Sequence, residues 1–426
     1  MHGAINMKYI FPFFALLFAV TSCTDSTSSK SGSEEVDESN VTGWVSAGFT
    51  PNEASLSTDG SGLQLVTHSG DWILLEDAWT SPVEGKPGKY TYTPRLFVSK
   101  IGSADWDTLT IPSEGFVKTV FADSLGFYVG TTKTGDVLKY LPDEHRWEKI
   151  DVLDSNDGVE YTVYGISKID ENLIVSLAGF KDTLTKEVVS QIRLQNGNSW
   201  ISLETPPIYY DAYLTEVVPL QFHKGVVVDG LFYAATMDGV WILDPNSKKW
   251  TQMPKPPKVK HTEQYVSVPV QSITIYKGNV VISDSRAGLV YEWNSSSEEW
   301  VRLDSLHYSY YYEPSMAGQY RVSVNTPDAL RSFATDGNHL FVSGQYQSCP
   351  MVYMGDYGEP YGNISQGWRC IAKGWVGKYW SLSTMGVYGL DIIDGFLYAA
   401  AYEGLYKLDL RELDSAIYGE DDYVGI

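Results

Sequence analysis

Cysteine is nearly absent, with Cys23, Cys349 and Cys370 the only three in 426 residues. That excludes a disulfide-dense scaffold and a cysteine-built zinc cluster. Long apolar runs are missing too. The stretch Ile10 to Val20 (IFPFFALLFAV) is too short for a spanning helix, which needs about 20 apolar residues, and Pro12 interrupts it. Basic charge is scarce: 31 Lys and Arg stand against 53 Asp and Glu, a net charge of -22. Nucleic acid and anionic lipid headgroups are therefore poor partners, since both repel such a chain. The seven histidines form no HExxH or other close metal-ligand spacing, and no GxSxG nucleophile turn occurs. The segment Asp154 to Gly158 (DSNDG) lacks the full ligand series of a calcium loop. No catalytic residue, metal site or cofactor is assigned, and no long segment of 3.6-residue periodicity interrupts the chain.

The amino-terminal residues present a different signal. Lys8, the short apolar run, and Val20-Thr21-Ser22-Cys23 together have the organisation of an export signal with Met7 as its start. The ending at Cys23 resembles the lipobox of bacterial lipoproteins. That resemblance implies a signal peptide over residues 1–22, diacylglyceryl transfer to the Cys23 thiol, and anchoring at the bacterial cell envelope through lipid alone. Residues 23–42 follow as an acidic, Ser-rich tether (TDSTSSKSGSEEVDESN from Thr24) with too little apolar surface to offset chain entropy. In an oxidising envelope compartment Cys349 and Cys370 are expected to form a disulfide. They would face one another across a hairpin and clamp its loop, contributing about 3 kcal/mol by loop closure.

Periodicity dominates the remainder. Trp44, Trp106, Trp147, Trp200, Trp250, Trp300 and Trp368 recur at intervals of 62, 41, 53, 50, 50 and 68 residues, each opening a short strand-like stretch. Such spacing fits four-stranded propeller blades with loop insertions. The clearest unit, Gly225 to Pro257, carries an apolar run, the turn Asp229-Gly230, LFYAAT, the turn Asp238-Gly239, VWILD, a polar turn and the Trp strand. Asp-Gly between β-branched and aromatic runs is a strong hairpin signal. The last unit (DGFLYAAAYEGLYKLDL) ends at Leu410 without a fourth strand, whereas Trp44 opens a strand with no partner before it. Both defects vanish if the amino-terminal strand completes the last blade. The expected fold is all-β: a seven-bladed β-propeller of four-stranded antiparallel blades over residues 43–411, with an acidic tail at 412–426. A two-domain β arrangement leaves both defects unexplained.

The ending LDPNSKKWTQMPKPP resembles the close of a kelch repeat, and DGLFYAATMDGVWILD resembles the propeller repeats of two-component sensor proteins. The chain lacks the paired glycines of kelch, the Trp-Asp ending of WD repeats and the Asp-box of sialidases. These resemblances imply architecture and not activity.

In an up-and-down blade the connection between strands two and three and the connection to the next blade emerge on one face. The long insertions of this chain fall on those connections and carry aromatics: Trp79, Tyr90 and Tyr92 in the first blade, and Tyr209, Tyr210 and Tyr213 between blades three and four. Tyr265 follows blade four, and Tyr308, Tyr310, Tyr311, Tyr312 and Tyr320 follow blade five. Trp375, Tyr379 and Trp380 follow blade six. Stiff rings with polar tips suit binding at low entropic cost, and long loops in compact domains tend to be functional. The expectation is a non-catalytic binding face for a glycan or an envelope protein. The alternative is a carbohydrate-active hydrolase or lyase using carboxylates placed on the same face, among them Asp77, Glu84, Asp211, Glu216, Glu263 and Glu313. The sequence leaves the oligomeric state open.

Overall fold

The computed structural model describes residues 43–50, 62–82, 90–153, 158–182, 187–205, 209–211, 216–218, 221–257, 269–284, 289–305, 311–315, 318–322, 330–344, 351–353, 368–371, 387–401 and 404–417. Seven four-stranded antiparallel sheets account for nearly all of them.

Strand β1 (Val45–Phe49) is set aside for the last blade. Blade 1 contains β2 (Leu63–Ser69), β3 (Trp72–Pro82), β4 (Tyr90–Lys100) and β5 (Asp107–Leu109). Blade 2 follows with β6 (Val117–Asp123), β7 (Gly126–Thr131), β8 (Val137–Leu141) and β9 (Arg146–Ile150). Blade 3 is β10 (Glu160–Ile169), β11 (Asn172–Asp182), β12 (Glu187–Asn196) and β13 (Ser199–Leu203). A two-stranded hairpin, β14 (Tyr209–Asp211) with β15 (Glu216–Val218), leads to blade 4: β16 (Phe222–Val228), β17 (Leu231–Thr236), β18 (Gly239–Asp244) and β19 (Lys249–Gln252). Blade 5 is β20 (Val270–Tyr276), β21 (Asn279–Asp284), β22 (Leu289–Asn294) and β23 (Glu299–Ser305). A second hairpin, β24 (Tyr311–Ser315) with β25 (Gly318–Val322), precedes blade 6, made of β26 (Leu330–Thr335), β27 (Leu340–Gly344), β28 (Met351–Tyr353) and β29 (Trp368–Cys370). Blade 7 has β30 (Val387–Ile393), β31 (Phe396–Ala401) and β32 (Gly404–Asp409), and its fourth strand is β1.

The amino-terminal strand therefore closes the ring, as its lack of upstream partners requires. Val45 and Ser46 pair with Lys407 and Tyr406. Ring closure removes two sheet edges that an open array would leave unpaired. The first strands of neighbouring blades pack side by side around the entire ring, including β2 against β30. Turns form where the Asp-Gly steps predict them, with Asp229 at φ 50° and Gly230 at φ 77°.

The core is divided among the seven gaps between blades. Each gap holds one apolar cluster, and each cluster contains one of the seven recurrent tryptophans. The tryptophan comes from the outer strand, or the residue before it, of the following blade. Trp44 sits between blades 6 and 7 with Phe341, Val352, Leu397 and Leu408. Trp368 sits between blades 5 and 6 with Val281, Val290 and Val342. Two indole N–H groups also reach back to the chain leaving the preceding blade: Trp44 Nε1 donates to the Ile371 carbonyl at 2.7 Å, and Trp300 Nε1 to the Pro254 carbonyl at 2.6 Å. One residue type thus supplies apolar area and a directed polar tie.

Beyond Leu410 the chain makes a 3-10 turn and a one-turn helix, α1 (Leu413–Ala416), whose Leu413 and Ala416 are buried against blades 6 and 7. The first residues of the expected acidic tail thus form an apolar clasp, and Gly43 N–H donates to Glu412 Oε2 at 3.3 Å. No helix among the described residues is long and apolar enough to cross a membrane.

Trp44→Ala should lower the unfolding free energy by about 3–5 kcal/mol, because it empties a closed site and frees a buried carbonyl. Trp147→Ala, at a half-buried site, should cost less. Urea denaturation followed by far-ultraviolet circular dichroism measures both, and equal losses would contradict this packing account.

Candidate functional site: the entry end of the central channel

The first strands of all blades run in the same direction around the central channel. They begin at the end where the between-blade connections arrive and where the hairpins between second and third strands turn. Four extended features project from this end: the long β3–β4 and β11–β12 hairpins, and the two inserted hairpins β14–β15 and β24–β25.

The expected aromatic residues distribute as follows. Trp79, Tyr90 and Tyr92 belong to the extended strands of blade 1, where Trp79 pairs with Thr93, Thr80 with Tyr92 and Pro82 with Tyr90. The stretch read as a loop is therefore largely a continuation of the ladder, as the β-branched and aromatic composition of its sequence favours. Tyr209 and Tyr210 lie in β14, Tyr311 and Tyr312 in β24, and Tyr320 in β25, opposite Glu313. Tyr213, Tyr265, Tyr308, Tyr310, Trp375, Tyr379 and Trp380 lie outside the described residues, as do Cys23 and Cys349. Cys370 stands opposite Met351 in the ladder, and its expected partner Cys349 lies outside the described residues. Asp77 is no loop carboxylate. It lies in β3, fully buried, in an ion pair with Arg95 on the adjacent strand. A charge so deeply placed requires that partner.

The end of the channel itself contains a ring that periodicity did not reveal. In every first strand the pairing with the second strand skips one residue near the entry end. The residues skipped are Gln64, Lys118, Tyr164, His223, Gln271, Arg331 and Tyr388. All seven are long and carry polar atoms, and each is preceded by Leu, Val or Phe. A bulge re-aims the side chain that it carries, and bulges concentrate at barrel rims and beside sites.

The residue after each bulge is mostly small, for a packing reason. A Cβ on Gly165 would lie 2.3 Å from the Phe222 carbonyl oxygen of the next blade, and one on Gly389 would lie 2.8 Å from Val66 N. The level is shared by the second strands, where Gly130, Ser176, Ala235, Ser283, Ser343 and Ala400 stand opposite Thr119, Gly165, Lys224, Ser272, Ser332 and Gly389. Two charged residues break this rule of small side chains: Glu76 in blade 1 and Lys224 in blade 4.

Their electrostatics differ from those of surface charges. Burial pushes the Glu76 carboxyl up to about 7, with the Lys118 ammonium opposing and Asp77 adding to the rise. Burial holds the His223 imidazole down at about 4, helped by Lys118, so His223 is neutral at physiological pH. Lys224 has solvent-accessible surface, yet the protein packed around it pushes its ammonium pKa down, against the pull of Asp391 in blade 7. Lys118 lies 5.1 Å from the ring centre of Tyr164 in the next blade. One lysine in blade 2 thus acts on groups in blades 1, 3 and 4. On the inner strands, His68 Nδ1 meets Asp391 Oδ2 at 2.7 Å between blades 1 and 7, and that hydrogen bond raises the imidazole pKa. Lys168 and Asp123 pair between blades 3 and 2.

No protein-family model matches the chain, and no curated protein matches its sequence. Solved structures similar to it include U3-55K, at 9% identity and TM-score 0.46, covering 84% of this chain and 100% of that one. YCF48 from Cyanidioschyzon merolae is similar at 11% identity and TM-score 0.45, covering 87% and 99%. Puromycin hydrolase is similar at 10% identity and TM-score 0.49, covering 87% of this chain and 55% of that one. Likenesses this distant say nothing of activity.

The Glu76 carboxyl yields a pH prediction. Its folded-state pKa is raised, so between the unfolded value of about 4.3 and about 7 the folded form holds more protons, and stability falls as pH rises through that window. Glu76→Gln removes the penalty. The variant should gain on the parent above pH 7, by at most about 3 kcal/mol because water in the channel screens the charge, and should match it near pH 4. Thermal melts at both pH values test this, and a variant less stable at pH 8 than the parent would refute it.

Proposed function

We propose that this chain is a non-catalytic binding module of the bacterial cell envelope, tethered by lipid on Cys23, which takes a glycan or an envelope protein on the entry face of its propeller. The observation carrying this reading is the convergence of insertions. The two hairpins lying outside the blade pattern, β14–β15 and β24–β25, arise from connections at one end of the ring. Four of the ten residues in β24 and β25 are Tyr or Arg, namely Tyr311, Tyr312, Tyr320 and Arg321, a composition favoured in binding surfaces. Rings of this kind stack on the C–H faces of sugars, while neighbouring Asp, Asn and Gln bond the hydroxyls. The rigid ring below them is the usual division of labour between scaffold and loops. Asp77, already neutralised by Arg95, drops out of the carboxylates on which a hydrolase would draw.

Two measurements test the proposal. The soluble body from Gly43 onward should bind defined sugars on a glycan array, or capture an envelope protein by cross-linking in cells. Tyr311→Ala together with Tyr312→Ala should reduce that binding at least tenfold with the circular dichroism spectrum unchanged. Equal binding by parent and double variant would remove these tyrosines from the site. Separately, Cys23→Ser should abolish incorporation of labelled palmitate and release the chain from the membrane fraction.

A further inference from the structure

Blade 2 stands between two taller neighbours. Its inner ladder ends at the pair Val117 and Thr131, level with the bulge. In blade 1, β3 runs on from Ala78 to Pro82, paired with Tyr90 to Pro94 of β4. In blade 3, β11 runs on from Ala178 to Asp182, paired with β12. At about 3.4 Å per residue, both neighbours carry their ladders roughly 17 Å past the last pair of blade 2. Blade 2 packs against each of them face to face, and sheet-on-sheet steps of about 10 Å set these walls roughly 20 Å apart. The inner ladders of the other four blades end beside the bulge, so this cleft has no counterpart among the described residues.

The floor of the cleft is fixed and yet exposed. Phe116 N–H donates to Thr132 Oγ1 at 3.0 Å, and Thr132 N–H to the Phe116 carbonyl at 2.9 Å. A Cβ on Gly115 would collide with the Thr132 carbonyl oxygen, and Thr134 bridges to Tyr161 of blade 3. Despite these ties the Phe116 side chain is 44% exposed. The Lys133 ammonium lies 5.8 Å from its ring centre. Lys133 has φ 67°, and the other seven described non-glycine residues of positive φ lie in turns at the opposite end of the ring. A stiff ring on a pinned backbone, left exposed, is the form that binding surfaces use to hold down entropic cost.

We propose that the cleft over blade 2 binds an unbranched oligosaccharide, one sugar of which stacks on Phe116 beside the Lys133 ammonium. This rests on reading the entry face as a binding face, and narrows its ligand from glycan or protein to glycan. The choice follows from what the walls present. Blades are arranged around a central channel, so strand edges point inward and outward and the cleft walls are sheet faces. An extended peptide lying there would find no free ladder edge for its main-chain N–H and C=O groups. A sugar chain needs only side chains: an apolar ring for its C–H face and hydroxyls for its own hydroxyls. The blade 1 wall carries Thr80, Ser81, Thr91 and Thr93. The cleft runs from the channel to the periphery, which suits a chain without branches.

The test is isothermal titration of the body from Gly43 onward, which contains all seven blades, with unbranched hexasaccharides of glucose, xylose, mannose, N-acetylglucosamine and galacturonate. Saturable binding of at least one is expected. Phe116→Ala should weaken it by about tenfold or more, whereas Phe116→Tyr, which keeps the ring, should bind as the parent does. Leu125→Ala, at an exposed residue in a turn at the opposite end, should change nothing. If Phe116→Ala fails to fold, hydroxyl-radical footprinting of the parent decides: oxidation of Phe116 must fall as the saccharide saturates while that of Leu125 stays constant. No binding by the folded parent, unchanged affinity in folded Phe116→Ala, or undiminished oxidation of Phe116 would each overturn the proposal. Binding that survives Phe116→Ala but is lost in the Tyr311 and Tyr312 variant would overturn the cleft and leave the entry-face reading standing. Capture of an envelope protein by a body that binds none of the saccharides would overturn the glycan and keep the binding module.

Discussion

The structure depends on one repeated contact, the burial of an outer-strand tryptophan in the gap before its own blade. A lone four-stranded blade has two apolar faces and no means to bury either. Seven blades in a ring bury all of them, provided that the seventh meets the first. That condition explains why the chain spends β1 on the opposite end of its own sequence. The strand contributes little ladder, yet it brings Trp44 into the gap between blades 6 and 7 and its indole N–H to the Ile371 carbonyl. The clasp of Leu413 and Ala416 against the same gap seals the seam where the two ends of the propeller meet. Cooperativity follows, because opening any one gap exposes two faces at once.

Much of this architecture was legible because it rests on features with a sequence period. Tryptophans about 50 residues apart mark the outer strands, and Asp-Gly steps mark the hairpins. The unpaired strands at the two ends point to closure. What remained hidden depends on register. Asp77 reads as a loop carboxylate because Trp79 and the Pro-rich segment after it suggest a loop, yet β3 continues to Pro82 and carries Asp77 into the interior beside Arg95. The pairing of Met351 with Cys370 likewise turns on where β28 begins, which no composition discloses. The ring of bulges was hardest of all. Its only trace is a long polar residue between an apolar and, in most blades, a small residue near the start of each unit, as in the two copies of Val-Tyr-Gly at 163–165 and 387–389. Five residue types over seven positions, and intervals broken by insertions, dilute that trace below notice until the ladders align it.

Symmetry then becomes informative by its failure. A ring of similar units generates similar environments, so a residue that departs from its six counterparts is answering something other than packing. Small side chains at the inner level satisfy the close approach that Gly165 and Gly389 make explicit. Glu76 and Lys224 give up that ease and accept desolvation, which raises one pKa and lowers the other. Structural charges elsewhere in the ring behave differently: Asp77 with Arg95, Asp123 with Lys168 and Asp391 with His68 are all paired where they stand. The contrast separates charges paired within or between blades from Glu76 and Lys224, which have no ion pair among the described residues. The packed blades fix where these charges stand, since the backbone that carries them cannot shift without parting neighbouring strands. The channel entry therefore carries Glu76, Lys118 and Lys224 at the same end as the tyrosine hairpins, at positions that the packing of the first strands against one another fixes.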